Sequence, residues 1–143
     1  MKASRQDFSI NQEILGNLSN IENLVIKLNS HIGNPKLSSQ VVFRAIYKIL
    51  EKDVKAALSI IVNYKCNFKN KSYLALMIKI YALNNMFDEA LVECKKILLI
   101  DNKDADAINL MGTICEKQGF IDEAKSYFLK VLKIDKNSVI AKL

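Results

Sequence analysis

Residues Lys71 to Ser138 carry one pattern written twice with a period of 34 residues, and few architectures use that period. Laying 71–104 over 105–138 pairs Leu76 with Leu110, Met77 with Met111 and Ile80 with Ile114. The same shift pairs Asp88-Glu89-Ala90 with Asp122-Glu123-Ala124, Leu98 with Leu132, and Ile100-Asp101 with Ile134-Asp135. Each copy holds two apolar stripes at helical spacing: Leu74-Met77-Ile78-Tyr81 then Leu91-Cys94-Ile97-Leu98, and Ile108-Met111-Cys115 then Ala124-Phe128-Val131-Leu132. Two such stripes about a short polar turn make a helix pair. Ala90 and Ala124 let the second helix approach the first, and Gly112 removes a side chain from the facing surface. Ile78 stands where that relief is missing, so the first pair is expected to sit wider. A helix pair cannot bury its apolar face alone, and roughly three units are needed before an array is stable.

The second copy resembles a tetratricopeptide repeat. Its residues read Ile108-x2-Met111-Gly112-x2-Cys115, then Ala124-x3-Phe128 and Lys136, against the W-x2-L-G-x2-Y…A-x3-F…P pattern. The Lys117-Gln118-Gly119 turn and the Asp122-Glu123-Ala124 helix entry are also similar to that family. The first copy reads Leu74-x2-Met77-Ile78-x2-Tyr81, then Ala90-x3-Cys94 and Asn102, and departs at the glycine, the late aromatic and the proline. The resemblance implies an all-α fold: a right-handed superhelical array of antiparallel helix pairs, an α-solenoid, here with an N-terminal amphipathic helical segment. The expected organisation is that segment at 1–36, a degenerate repeat at 37–70, full repeats at 71–104 and 105–138, and the start of a truncated capping helix at 139–143.

In the degenerate repeat, Val41, Val42, Ala45, Ile46 and Ile49 form one stripe, Glu51-Lys52-Asp53 breaks it, and Val54, Ala57, Leu58, Ile61 and Val62 form another. Its register is open by one residue, with either Ala56 or Ala57 standing where Ala90 stands. Asn67-Phe68-Lys69-Asn70 supplies the turn that follows. Upstream, Ile14, Leu18, Ile21, Val25, Leu28 and Ile32 succeed one another at spacings of 4, 3, 4, 3 and 4, a coiled-coil-type seam along one helix. Ser9 and Gln12 suit a capping box at its start, Gly33-Asn34-Pro35 stops it, and Gly16 offers a place to divide it into two helices. Leu15 and Leu24 widen the apolar face, which suits docking on the chain's own repeats; a partner helix or a second copy is the alternative. At the other end Val139-Ile140-Ala141-Lys142-Leu143 gives about one turn of cover, leaving Leu129 and Leu132 for another molecule or for solvent.

Half of the 143 residues are apolar, with four glycines, one proline and no tryptophan, which favours helices. No apolar run approaches the ~18 residues of a membrane span, and the N-terminus lacks the apolar core of a leader, so a cytoplasmic protein is expected. Cys66, Cys94 and Cys115 are odd in number and lack C-x-x-C spacing; two hold repeat core positions, so they read as buried hydrophobes. His31 is the only histidine and ends the N-terminal seam, leaving no base for a cysteine nucleophile and no ligand set for zinc. Asp88-Glu89 and Asp122-Glu123 recur with the period at helix starts, where negative charge complements the helix dipole. With no phosphate loop, nucleophile elbow or H-E-x-x-H motif, no enzyme, no cofactor, no metal and no catalytic residue is expected.

Charge is uneven. Residues 1–70 hold ten Lys or Arg against five acids, and residues 71–143 eleven against ten, so most of the net charge of +6 lies in the first half. Arg44, Lys48, Lys52 and Lys55 recur at helical spacing, either as a solvated face or as a basic edge that attracts an acidic partner segment.

The resemblance implies protein recognition on the concave side, by the first helices of successive repeats. The matching positions are Ser72, Ala75, Leu76, Lys79, Ala82 and Leu83 in one repeat, and Asp106, Asn109, Leu110, Thr113, Glu116 and Lys117 in the next. The degenerate repeat would add Val41, Val42, Ala45 and Lys48. Ala75, Leu76 and Leu110 stand at several places where members that clamp chaperone C-termini carry lysine, asparagine and arginine, which excludes that subclass. The leading expectation is an adaptor that binds a partner peptide in this groove. The alternatives are a small chaperone similar to those of bacterial secretion systems and a nucleic-acid-binding array using the Arg44–Lys55 face. Self-association through Ile14, Leu18, Ile21, Val25 and Leu28, or through the C-terminal face, is a further expectation.

Overall fold

The computed structural model describes residues 5–64 and 70–134, with side chains from residue 10 onward. Cys66, residues 67–69 of the expected turn and the expected capping helix at 139–143 lie outside the described residues. Among those described there are eight α-helices and no strand. None of the helices is long and apolar enough to cross a membrane. The chain forms two compact units, Met1–Cys66 and Asn67–Leu143.

The first unit holds α1 (Arg5–Leu15), α2 (Ile21–His31), α3 (Ser39–Lys52) and α4 (Val54–Asn63). The N-terminal segment is thus two helices, and α1 and α2 pack on each other and on α3. The break has a local cause. The amide of Asn17 donates to the Glu13 carbonyl at 2.7 Å, the backbone tightens through Asn17 N–H to Ile14 O, and Asn20 restarts the chain by accepting from the Asn23 N–H at 3.2 Å. Asparagine side chains compete with the helix ladder in this way and favour caps over helix interiors. Ser9 lies inside α1, so the expected capping box does not form the helix start.

The break also redistributes the seam. Ile10, Ile14, Leu24 and Leu28 are buried, whereas Leu18, Ile21, Val25 and Ile32 are half-buried. Ile14 and Leu28 are therefore committed to the chain's own core and are not open for a partner copy. Glu13 of α1 joins α2 through Lys27 at 2.9 Å and the ring Nε2 of His31 at 3.1 Å. The Lys27 hydrogen bond, then that of His31, holds the Glu13 carboxyl below its usual range. The Asn11 side chain accepts from the Ser38 N–H at 2.9 Å and donates to the Lys36 carbonyl, fastening the loop into α3.

Only Asp53 separates α3 from α4, because its N–H closes α3 on Ile49 O while its carboxylate accepts from the Ala56 N–H at 3.0 Å. Glu51 and Lys52, expected in the break, are still helical. Ala57 is fully buried and Ala56 is not, so Ala57 occupies the close-approach position of this pair. Tyr64 closes the pair by meeting Ser39 Oγ at 2.9 Å and the Phe43 ring edge-on at 6.2 Å.

The second unit holds α5 (Lys71–Leu83), α6 (Phe87–Ile100), α7 (Ala105–Lys117) and α8 (Ile121–Ile134), and each boundary recurs 34 residues later. The end chemistry recurs too. Asn70 caps α5 by accepting from Tyr73 N–H at 3.2 Å, and Asp104 caps α7 by accepting from Ala107 N–H at 2.9 Å. The turns into α6 and α8 each use one left-handed residue, Asn85 (φ 61°) and Gly119 (φ 87°). The next N–H then reaches back five residues, Met86 to Tyr81 O and Phe120 to Cys115 O, both at 2.8 Å. This is a Schellman closure, and asparagine is the residue after glycine that best tolerates the left-handed region.

Within the unit each helix packs on the next in sequence. Phe128 lies over Gly112, and a Cβ there would stand 2.6 Å from the ring. In the first pair the equivalent places hold Ile78 and Cys94, both fully buried. The two departures from the repeat pattern are thus complementary: the bulk has moved from the second helix to the first.

Candidate functional site

Helices α5 and α7 both pack on α6. At their N-terminal ends they are joined by an ion pair between Lys71, the first residue of α5, and Asp104, the cap of α7. Burial alone would raise the Asp104 carboxyl, but the Lys71 ammonium and the Ala107 N–H outweigh it and hold the group below its ordinary range. The same contact raises Lys71. A carboxyl with a depressed folded-state pKa contributes stability above its unfolded value of about 3.9 and loses it as pH falls through the folded value. Asp104→Asn, which keeps a capping oxygen, should therefore cost about 1–2 kcal/mol at neutral pH, allowing for the exposure of Lys71. Thermal melts should show this difference from wild type shrinking as pH falls below about 4; a constant difference would mean that the charge of Asp104 is not what stabilises.

Beyond the ion pair, a hollow of about 410 Å³ opens between the same two helices, lined from their middle turns to their C-terminal ends. From α5 it is lined by Ala75, Ile78, Lys79, Ala82 and Leu83, and from α7 by Leu110, Thr113, Ile114 and Lys117. The helical repeat explains the set, since positions three and four apart share a face. Ile78 and Ile114 are core residues whose edges form the floor, while Lys79, Leu83 and Lys117 are exposed at the rim. Thr113 returns its hydroxyl to the Asn109 carbonyl at 3.0 Å.

Seven of the nine lining residues are positions expected from the resemblance: Ala75, Lys79, Ala82, Leu83, Leu110, Thr113 and Lys117. The other five expected positions do not line the hollow. Leu76 is fully buried, because it shares a face of α5 with Tyr73 and Ile80 that is buried throughout. Asn109 is half-buried with its Oδ1 turned inside, away from any donor among the described residues. Ser72, Asp106 and Glu116 are exposed outside the hollow. Ile78 and Ile114 were missed because residues with core spacing read as core; that both follow a small or polar groove position by one or three residues is the signal that could have found them.

In the first unit Val42 and Ala45 are fully buried and so are not groove surface, while Val41 is half-buried. Arg44, Lys48 and Lys52 form an exposed row along α3, with Lys48 at 3.9 Å from Glu51. Lys55 is exposed on α4, beyond the Asp53 turn, and does not continue that row as one helix. Burial pushes the Cys94 thiol up to about 12 and raises Cys115 as well, which leaves both uncharged and inert as nucleophiles at neutral pH.

No family model and no curated protein matches the sequence. The fold is similar to that of a solved tetratricopeptide repeat protein from Parabacteroides merdae ATCC 43184, with a TM-score of 0.59 at 14% identity. The match covers 93% of this chain and 56% of that protein, so this chain spans little more than half of its length. What the likeness establishes is the fold: an all-α chain whose helices are arranged similarly to those of a tetratricopeptide repeat protein.

Proposed function

We propose that this chain is a non-enzymatic interaction module, acting in the cytoplasm as an adaptor, that holds a segment of a partner protein in the hollow between α5 and α7. The observation that carries the reading is the hollow itself: a concave, mostly apolar recess with a few polar groups at its rim, which is the usual form of a binding site. Its two walls come from repeated helices, so the recess is a product of the repeat and not of one irregular loop. On this reading the exposed row of Arg44, Lys48 and Lys52, with Lys55, raises the rate at which an acidic partner arrives.

Affinity capture with the full chain tests the proposal. A stoichiometric protein partner should be recovered whether or not nuclease is present. Leu83→Asp and Lys79→Glu, both at exposed rim positions, should weaken its binding by about tenfold each while the chain stays folded and helical. Charge reversal at Arg44 and Lys48 should instead slow association and reduce its salt dependence. Recovery that nuclease abolishes would support the nucleic-acid reading, and full affinity in both rim variants would remove the hollow from the function.

A further inference from the structure

We propose that the hollow selects an acidic, apolar peptide segment: one bulky aliphatic or aromatic side chain seated between α5 and α7, with flanking carboxylates held by Lys79 and Lys117. This deepens the proposed function and rests on it. Three observations point to that chemistry. Ala75 and Ala82 stand seven residues apart on one face of α5, and their small side chains leave the wall open above Ile78 and Ile114. A recess of about 410 Å³ with that floor takes a large side chain and removes its apolar surface from water, at roughly 25 cal/mol for each Å². Among the described residues that line the recess, the ionisable ones are both lysines. An ammonium beside an apolar wall attracts a carboxylate more strongly than it would in open water, and a basic segment would meet like charge on both sides.

The lining also argues against nucleic acid as the occupant. None of the nine residues is aromatic, so bases would find no stacking platform.

Three synthetic peptide probes of equal length decide the question by fluorescence anisotropy with the full chain. One alternates leucine with glutamate, one replaces each glutamate by lysine, and one replaces each leucine by serine. The leucine–glutamate probe should bind about tenfold tighter than either of the others. Lys79→Glu combined with Lys117→Glu should transfer the preference to the leucine–lysine probe. Ala82→Phe should fill the recess and abolish binding of both; Ala75→Leu serves the same purpose should the larger change unfold the protein. Leucine probes that bind equally whatever their charge, unaffected by the two reversals, would overturn the acidic assignment while leaving the peptide site standing. Failure of every probe to perturb α5 and α7 in amide spectra would overturn the site as well. Probe binding that competes with concentration-dependent self-association would name a second copy as the occupant and sink the proposal.

Discussion

Gly112→Ile should destabilise the second unit by about 3 kcal/mol or more, and Phe128→Cys made in the same chain should recover much of the loss. The first half follows from geometry: even a Cβ at Gly112 would lie 2.6 Å from Cε1 and 2.9 Å from Cδ1 of Phe128, and isoleucine adds three further carbons to that overlap. The second follows from the other pair, which holds Ile78 and Cys94 at the equivalent positions with both fully buried. Phe128→Cys alone should cost about 3 kcal/mol, because it opens a void against Gly112. The double variant recreates the packing scheme of α5 and α6 in α7 and α8, so denaturant midpoints should reveal a favourable coupling of about 2–3 kcal/mol. Simple addition of the two losses would show that Ile78 and Cys94 are independent departures and not a compensating exchange.

The second large effect lies in the first unit. Leu24→Ala should cost about 2–5 kcal/mol and Val25→Ala under about 1.5. A continuous seam would rank them the other way, since its 4-3-4-3-4 spacing includes Val25 and leaves Leu24 at the margin. The hairpin of α1 and α2 buries Leu24 completely and leaves Val25 half-buried. Chemical denaturation of the two variants distinguishes the arrangements, and a greater loss from Val25→Ala would restore the single helix.

The different fates of these two regions show what a sequence makes legible. From residue 70 onward the pattern repeats, so several features are seen twice: Asn70 and Asp104 mark the same cap, Asn85 and Gly119 the same left-handed turn, Ala90 and Ala124 the same close approach. One clear copy makes the weaker one readable. The N-terminal segment has no second copy. Its apolar spacing keeps helical phase across residues 16–20, and periodicity alone cannot see that Asn17 draws off the Glu13 carbonyl or that Asn20 restarts the chain. The site divides in the same way. Exposed or small positions on the first helices, such as Ala75, Ala82 and Thr113, are marked as groove residues by the resemblance to tetratricopeptide repeats, since their own spacing does not distinguish them from a solvated face. Leu76 and Leu110 are one period apart, yet one is buried and the other lines the hollow. Equivalent positions differ because their neighbours do, and neighbours are not written in the repeat.

The packing of each helix in the second unit on its sequence neighbour bears on how the unit forms. Contacts between α5 and α6, α6 and α7, and α7 and α8 close loops shorter than one period, so little chain entropy is lost before each is rewarded. Assembly can begin at either helix pair and spread to the other, in the manner of a short one-dimensional lattice. Damage is correspondingly local. A defect at the Gly112–Phe128 contact weakens α7 and α8 first and reaches α5 and α6 only through the junction at α6, so exchange-protection measurements would see the two pairs open at different free energies.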